Sequence, residues 1–521
     1  MNVTVVKTVD YDTDATFDSS LDIMLHSNYD SDDSDESVAS HFSETISIPE
    51  SVIEDDAIED DSVHTNNSLT DTGIPVFVMP SITIEEWDDI KEECYFWIEE
   101  YLEENAIMMA KKTFLNTMYT DVGEYLSSVV GSTQGWYDDT MYEDLYEWVK
   151  EACRDVLTMM NIPPRETVSI TDRTLEITSS QIDSTLKWLS TFPVQVQRSA
   201  EWYAVRRNLF SASNLWKLFS TPAQYNSLLY EKCKDVDKLD GLNSSSYGGD
   251  ILSPGSRNWG IKYEPVSILV YEHKYNTKVN TNYGCIPHET LPIGASPDGI
   301  NCKPNHPKYG HMVEVKNIYN RVMDGIPSME YWTQTQIQMA TCRLEYCDFL
   351  ETRFKEYANS EEFAADNSHE YKGVIMFFIP RNDYDGSSHF EYVPLDIGKC
   401  EDRLNQWFEE KQKHLSGYVL YQISYWYLEE MYCTEIERND FWFQKTIPTI
   451  QESWKLVLHE RNHGFEHRAP VSKQRPRTMS SDNMVSVSST NDNNDDETNG
   501  SSSSTVKVIQ LSSKSTNYYP F

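Results

Sequence analysis

Two carboxylates and a lysine stand near one another in the middle of the chain, in the segments GASPDGI and HMVEVKNI. Fifteen residues separate Asp298 from Glu314, and Lys316 follows two positions after Glu314. Side chains of a strand alternate between its two faces, so Glu314 and Lys316 are expected to project together, opposite Val313 and Val315. If the intervening segment folds back, Asp298 comes to lie beside Glu314 on a neighbouring strand.

Such a set of side chains suits a hard divalent cation and the hydrolysis of a phosphate ester. Mg²⁺ binds one or two carboxylates together with water and phosphate oxygens, and the Val315 carbonyl could add a further oxygen. The bound cation would stabilise charge on the phosphate and lower the pKa of a bound water. Lys316 could position or deprotonate that water, or neutralise the developing charge. Taken alone, the pattern is more typical of a surface strand with an ion pair, so its context decides.

Two folded regions are predicted in the chain, and the second contains these residues. Residues 76–190 predict a helical region, because apolar side chains recur there at steps of three and four. These are Trp87, Ile90, Cys94, Trp97, Ile98 and Leu102, then Leu145, Val149, Cys153 and Leu157. Residues 191–468 mix short helices with β-rich runs and turn signals, which predicts an α+β domain. Its C-terminal extension includes two predicted strands, KGVIMFFIP and HFEYVPLD, and a predicted helix near 397–415.

Charge and composition set limits on the rest of the chain. The formal net charge of the 521 residues is −41, but residues 191–357 hold 18 Lys and Arg against 17 Asp and Glu, so DNA is not excluded as a partner. The acidic segment 1–75 and the Ser/Asn/Asp-rich segment 469–521 are predicted to be disordered tails. The nine cysteines form no CxxC pair, so neither zinc nor an iron–sulfur cluster is expected.

No apolar run is long enough to span a membrane, and the N-terminus lacks the layout of a secretory signal. The sequence therefore predicts a soluble, intracellular protein without a membrane partner.

Five motifs across about 195–355 resemble those of a known family. QRSAEWYAVRRNLFSAS, NWGIKYEPVSILVYE, SPDG, VEVK and YWTQTQIQMA follow one another in the order of the lambda-exonuclease-type, YqaJ-like viral recombinase family, in the PD-(D/E)XK nuclease superfamily. The resemblance implies a restriction-endonuclease-like α+β fold, with a mixed central sheet flanked by helices. It also implies hydrolysis of double-stranded DNA with Mg²⁺ or Mn²⁺, expected to run from 5′ ends in recombination, repair or DNA degradation. The resemblance further implies a large DNA virus as source, a ring-like homo-oligomer and a recombination partner protein. In a virus the protein is expected in host cytoplasm, at a viral replication site or packaged in the virion.

The resemblance also implies roles for individual residues. Asp298 and Glu314 match the family's metal-binding carboxylates, Lys316 its catalytic lysine, and Glu264 the helix-borne glutamate that completes the site. Arg206 and Ser213 are implied to bind the phosphate of a DNA end. Gln334 and Gln336 match the glutamine motif, with Gln334 expected to contact a DNA phosphate and Gln336 favoured to orient the water. In a helix, however, positions 334 and 338 share a face that 336 does not, so which glutamine enters the site stays open.

Two departures from the family pattern keep alternatives open. Arg207 and Asn208 stand where the family often has an apolar residue and a glycine. A long insert before Glu264, CKDVDKLDGLNSSSYGGDILSPGSR, could cap or widen a DNA channel. An endonuclease, or a nuclease fold that binds DNA or recruits partners without cutting it, therefore remains an alternative to an exonuclease.

Overall fold

A computed structural model describes residues 84–134, 139–165, 178–195, 199–235, 255–381, 387–397 and 400–469. The predicted tail 1–75 lies outside these residues, as does the predicted tail 469–521 apart from Ala469. Most of the insert that could cap a DNA channel, residues 236–254, lies outside them too.

The N-terminal part of the described chain is helical, as its apolar spacing predicts. Its helices are α1 Ile84–Asn105, α2 Phe114–Gln134, α3 Asp139–Met159 and α4 Ser179–Leu189, with a 3-10 helix at Ala106–Ala110. The apolar stripe of α1 is buried at Cys94, Ile98 and Leu102, and that of α3 at Val149 and Cys153. These side chains belong to the same core cluster as residues of the later domain, so the helical region packs directly against it.

Eight further helices and ten strands lie in the rest of the ranges that the structure describes. The helices are α5 Ala200–Arg207, α6 Ala212–Leu215, α7 Pro222–Cys233, α8 Ser256–Tyr275, α9 Met329–Cys342, α10 Ser360–Ala365, α11 Glu401–His414 and α12 Asp440–His463, with 3-10 helices at Trp216–Phe219 and Glu466–Arg468. The strands are β1 Phe210–Ser211, β2 Val279–Asn280, β3 Ile286–Pro287, β4 Ile293–Ala295, β5 Gly299–Asn301, β6 Met312–Asn317, β7 Tyr346–Glu356, β8 Lys372–Pro380, β9 His389–Tyr392 and β10 Tyr418–Glu437.

Seven strands form a mixed sheet in the order β2-β5-β6-β7-β10-β8-β9. Strands β6 and β7 are parallel, and the other neighbours are antiparallel. Val313 and Val315 pack with α8 on one face, through Ile268 and Tyr271. The alternate residue Met312 joins the larger core, which also contains Ile337 and Met339 of α9. The predicted mixed sheet flanked by helices is thus confirmed, and β6 lies between α8 and α9.

A second, three-stranded sheet has the order β1-β4-β3, with β1 and β4 parallel and Ser211 opposite Gly294. Among the helices of the described ranges, none has both the length and the apolarity for crossing a lipid bilayer.

The C-terminal strands and helix follow their predictions, with one addition. Strand β8 matches KGVIMFFIP, β9 covers the first half of HFEYVPLD, and α11 lies within 397–415. The twenty-residue strand β10 had no predicted counterpart. Its register shifts twice, between Leu420 and Gln422 and between Leu428 and Glu430, and each irregularity interrupts the alternation by which a strand is recognised.

Candidate active site

The pairing of β5 with β6 brings Asp298 beside Glu314. Gly299 stands opposite Val313 in this antiparallel pair, so the residues just outside that pair, Asp298 and Glu314, face each other across the two strands. The backbone N–H of Val315 donates to Asp298 Oδ2 at 2.8 Å. The predicted fold-back between SPDG and VEVK is therefore present, and it brings both carboxylates to the same end of the sheet.

Glu314 is almost fully buried, at 1% exposure, and its carboxylate is held on both oxygens. Gln334 Nε2 donates to Oε1 at 2.6 Å, and Gln338 Nε2 donates to Oε2 at 2.9 Å. The Lys316 ammonium donates to the same Oε1 and also to Gln334 Oε1, at 3.3 Å. Gln338 was not among the predicted site residues, although its spacing of four from Gln334 was the signal that identifies it.

Gln336 lies elsewhere, which corrects the prediction that it orients the water. Its Nε2 donates to the Glu437 carbonyl at 2.8 Å, and its Oε1 accepts from the Asn439 N–H at 2.8 Å. Helical geometry turns position 336 away from the face shared by 334 and 338, so its amide joins β10 to α12 instead of meeting Glu314.

Replacing Gln336 with alanine is therefore expected to lower stability by about 1–3 kcal/mol, because a buried N–H and carbonyl lose their partner. Gln338→Ala is expected instead to slow the DNA cleavage that the sequence resemblance predicts, because Glu314 loses one of its partners. Urea unfolding and a digestion assay separate the two effects. A Gln336→Ala protein of unchanged stability that no longer cuts would put Gln336 back in the active site.

Glu264 lies half-buried on α8, whose neighbouring residues Tyr263 and Val266 are anchored in a core cluster. Burial raises the pKa of Glu264 and the charge of Glu314 raises it further, while Lys316 opposes both. The charges of Glu314 and Lys316 on β6 thus act on Glu264, although Glu264 lies on helix α8.

The electrostatics of Asp298 and Lys316 show how strongly the groups interact. Burial raises the pKa of Asp298 well above its ordinary value, and the charges of Glu314 and Glu264 add to the rise. Burial alone would lower the pKa of Lys316, but Glu314 and Asp298 outweigh it, so this pKa is raised. Three carboxylates therefore share one ammonium group. The excess negative charge and the oxygen donors fit a divalent cation.

A second set of possible metal ligands lies closer together than Glu264, Asp298 and Glu314 do. Within the described ranges, one set of His, Cys, Asp or Glu has its ligand atoms all within 4.8 Å of one another, namely His311, Asp348 and Glu435. The ammonium of Lys308 already lies there, 2.9 Å from Asp348 Oδ1 and 3.4 Å from Glu435 Oε2. This set is therefore a buried ion-pair network whose positive charge the chain itself supplies. Among the residues that the structure describes, the ammonium of Lys316 is the positive charge that lies against Glu314, and Glu264, Asp298 and Glu314 share it.

Lys308→Met is expected to destabilise the protein by about 3–5 kcal/mol, because it leaves Asp348 and Glu435 buried without their ammonium. Chemical unfolding in a chelating buffer measures the loss. A variant as stable as the parent would show that the network does not depend on Lys308.

The residues predicted to bind a DNA-end phosphate lie at the same sheet edge as Asp298. Strands β1 and β4 are parallel, and Ser213 and Asp298 each follow the carboxyl end of one of them. The Arg206 guanidinium stacks over the Trp202 ring at 4.4 Å, and its Nη2 donates to Ser213 Oγ at 3.5 Å. The structure thus brings Arg206 and Ser213 together.

Lys232 joins this group and was not predicted. Its side chain is 4% exposed and donates to the Arg206 carbonyl at 3.0 Å. Burial lowers the pKa of Lys232 to about 8, with Arg206 adding to the fall and Glu231 opposing it. A lysine between Leu229 and Cys233 on the buried face of α7 was the available signal.

Known proteins resemble this chain over part of its length. An uncharacterized protein of Acanthamoeba polyphaga mimivirus is 24% identical over 306 residues, covering 51% of this chain and 53% of the relative. The chain thus spans about half the length of that curated relative, whose source supports the predicted origin in a large DNA virus. Two crystal structures of LHK-Exo, an alkaline exonuclease from Laribacter hongkongensis, are 18% identical and cover 52% of this chain and 95% of theirs. Their TM-scores are 0.28, for the complex with dAMP, and 0.29.

The sequence model of the YqaJ-like viral recombinase domain matches residues 201–345. This range includes every residue predicted for the site, from Arg206 to Gln336, as well as Lys232 and Gln338. It also contains the paired strands and the two helices that bring the carboxylates and Lys316 together. Residues 201–345, the part of the chain that holds the candidate site, are therefore similar to the YqaJ-like viral recombinase domain.

Proposed function

We propose that this protein is a Mg²⁺-dependent deoxyribonuclease that hydrolyses phosphodiester bonds of double-stranded DNA. The observation that carries the proposal is the grouping of buried Glu314 with half-buried Asp298 and Lys316, and with Glu264, whose pKa the charge of Glu314 raises. The family match supports the same chemistry, because the resemblance of its motifs implies a DNA nuclease.

Each side chain of the group has a proposed part in the reaction. Glu264, Asp298, Glu314 and the Val315 carbonyl would hold the cation, which when bound stabilises charge on the phosphate and lowers the pKa of a water. Gln334 and Gln338 fix the Glu314 carboxylate through both of its oxygens. Lys316, no longer the sole counter-charge of the acids, would orient the attacking water or neutralise the charge that develops on the phosphate.

We further propose that cleavage begins at a DNA end that carries a 5′-phosphate. A terminal phosphate bears more negative charge than an internal one, and Arg206 with Lys232 concentrates positive charge at the sheet edge next to Asp298. Ser213 adds a hydroxyl at the same place. An exonuclease is therefore favoured over an endonuclease.

Digestion of end-labelled linear duplexes with and without 5′-phosphate, beside closed and nicked circles, tests this proposal. With Mg²⁺ we expect linear DNA to shorten from its 5′ ends and closed circles to survive, and with a chelator no DNA to be cut. Cleavage of closed circles would indicate an endonuclease. Linear DNA that is bound but stays intact with either Mg²⁺ or Mn²⁺ would indicate a DNA-binding module.

Arg206→Ala is expected to reduce the preference for 5′-phosphorylated ends by about tenfold or more, because a charge-assisted hydrogen bond is lost. The comparison of kcat/KM on the two duplexes measures it. Arg207→Ala is the matched control, since Arg207 binds the Lys234 carbonyl and Asp235 instead of Ser213. Equal loss in both variants would contradict a specific role for Arg206.

The predicted ring-like assembly and the predicted recombination partner stay predictions. Measurement of the mass of the full chain in solution tests the first of these.

A further inference from the structure

A cavity lies between the N-terminal helices and helix α9, and its lining does not include Glu264, Asp298 or Glu314. Its volume is about 400 Å³, within the usual range for a small-molecule site. Its apolar lining includes Phe114, Leu115, Leu157 and Ile162, and Trp332 contributes from α9. We call this cavity, with the basic side chains described next, the basic pocket.

The charge of the basic pocket is opposite to that of its surroundings. Residues 76–190 contain 23 acidic and 8 basic side chains. Four of those eight basic residues line the pocket, namely Lys111, Lys112, Arg154 and Arg165, whereas the lining found among the described residues includes no Asp or Glu. Half of the positive charge of a strongly acidic region is thus concentrated around one apolar cavity. Its occupant is expected to combine an anionic group with an apolar, flat body.

The basic pocket is also tied to the candidate active site. Lys316 and Gln334 both donate to Glu314 in the candidate active site, and the chain between them runs past the pocket. The Lys112 ammonium lies 2.8 Å from Asp324 of this connection, and Arg165 donates to the Pro327 carbonyl at 2.6 Å.

The pocket's inner wall depends on the same helix. Trp332 precedes Gln334 by two positions, and its indole N–H donates to the Arg165 carbonyl at 2.7 Å. Asn439, a further lining residue, is held by Gln336. Helix α9 therefore presents its glutamines at 334 and 338 to Glu314, while Trp332 and Gln336 support the pocket.

We propose that the basic pocket binds one unpaired nucleotide of a DNA strand. The base would lie against the apolar wall formed by Phe114, Leu115 and Trp332, and the phosphate would lie among Lys111, Lys112 and Arg154. Stacking and apolar contact hold a base without regard to its sequence, and the cations hold the backbone. The inference rests on the proposed function, since it is a DNA-cutting enzyme that would have such a strand to hold beside its active site.

Binding of a labelled single-stranded oligonucleotide to the full chain, measured by fluorescence anisotropy in EDTA, tests the charge of the pocket without any cleavage. Lys111→Glu/Arg154→Glu is expected to bind at least about tenfold more weakly than the parent. It should also give a plot of log K against log salt that is shallower by about 1. Lys91→Glu/Lys187→Glu is the matched control, because it reverses two charges of the same region outside the pocket. Equal weakening in the two double variants would overturn the site.

A second comparison tests the base. The parent is expected to bind the oligonucleotide about fivefold more tightly than an abasic strand of the same length. Thr158→Trp, which places bulk at the mouth of the pocket, should abolish this difference. Thr117→Trp should retain it, because Thr117 lies on α2 outside the lining and makes the same hydroxyl-to-helix bond.

Competition with a free 5′-mononucleotide identifies the source of the nucleotide. Competition only at a large excess supports a strand as the natural ligand, whereas displacement at equal concentration would overturn it in favour of a free nucleotide. Equal binding of abasic and normal strands would also overturn the proposal. A protein that passes these tests but cuts no DNA with Mg²⁺ would refute the proposed nuclease and not the pocket.

Discussion

Replacing Lys316 with methionine is expected to lower the rate of DNA cleavage about 10³-fold at saturating DNA. Removal of one preorganised charge from a buried site costs roughly 10²–10³ in kcat, and loss of a proton-transfer group costs roughly 10²–10⁴. Lys316 is the ammonium group that contacts Glu314, and its pKa responds to Asp298 as well. Single-turnover digestion of a 5′-phosphorylated duplex with Mg²⁺ measures the rate without interference from product release.

The matched control is Lys355→Met, on the neighbouring strand β7. Lys355 is half exposed and pairs with Glu429 at 3.3 Å, so its loss should leave the rate within about twofold, as an exposed pair contributes little. Because Glu314 would lose a buried partner in Lys316→Met, thermal unfolding and the binding of uncut duplex in EDTA establish that this variant is folded. If Lys316→Met fails to fold, Lys316→Gln replaces it. A folded variant at either position that cuts as fast as Lys355→Met would contradict a catalytic role for Lys316.

Asp298→Asn is expected to abolish cleavage and yet to stabilise the protein when divalent cations are absent. A carboxyl whose pKa is raised on folding destabilises the folded state at pH values above its pKa in the unfolded chain. Asp298 is such a group. The amide of the variant removes this charge and can still accept the Val315 N–H through its oxygen. A rise in Tm of about 1–1.5 °C corresponds to a gain near 1 kcal/mol for a protein of this size, because the entropy of unfolding grows with the number of ordered residues.

Mg²⁺ should reverse the order of the two proteins. A cation that binds only the folded state raises Tm as its concentration exceeds Kd, so the parent should gain stability while Asp298→Asn gains little. Asp324→Asn is the control, since Asp324 lies outside the carboxylate group and pairs with Lys112 at the surface. Equal stabilisation of all three proteins by Mg²⁺ would mean that the cation binds elsewhere, and a parent that gains nothing would contradict a Mg²⁺ site.

Sequence patterns predicted the fold where one physical signal dominated. The helices α1 and α3 followed from apolar stripes that pack into a core, and β8 from an uninterrupted apolar run. Strand β10 was not predicted, because two register shifts interrupt the alternation of its side chains. That the N-terminal helices share a core with Phe210 and Trp442 could not be predicted, since such contacts join residues far apart in the chain.

Some residues of the candidate site could also be predicted from local patterns, and others could not. Alternation along β6 predicted Glu314 and Lys316 on one face, because it depends on local geometry. Asp298 was expected beside them only if the chain folded back after SPDG, and the order of the five motifs was needed to favour that arrangement. Which glutamine contacts Glu314 depended on the rotation of α9, which the motif alone does not specify. The contact of Lys232 with Arg206 depends on the packing of α7 against α5, which joins residues far apart in the chain. In the sequence it is indicated only by a single lysine on the apolar face of α7.

The position of a bound cation tests the central claim most directly. Crystals of the protein soaked in Mn²⁺, with data collected at an energy where manganese scatters anomalously, locate the ion without reference to activity. The account predicts one peak in contact with Glu264, Asp298 and Glu314, with Lys316 beside it. A peak only at His311, Asp348 and Glu435, or none at either place, would contradict it.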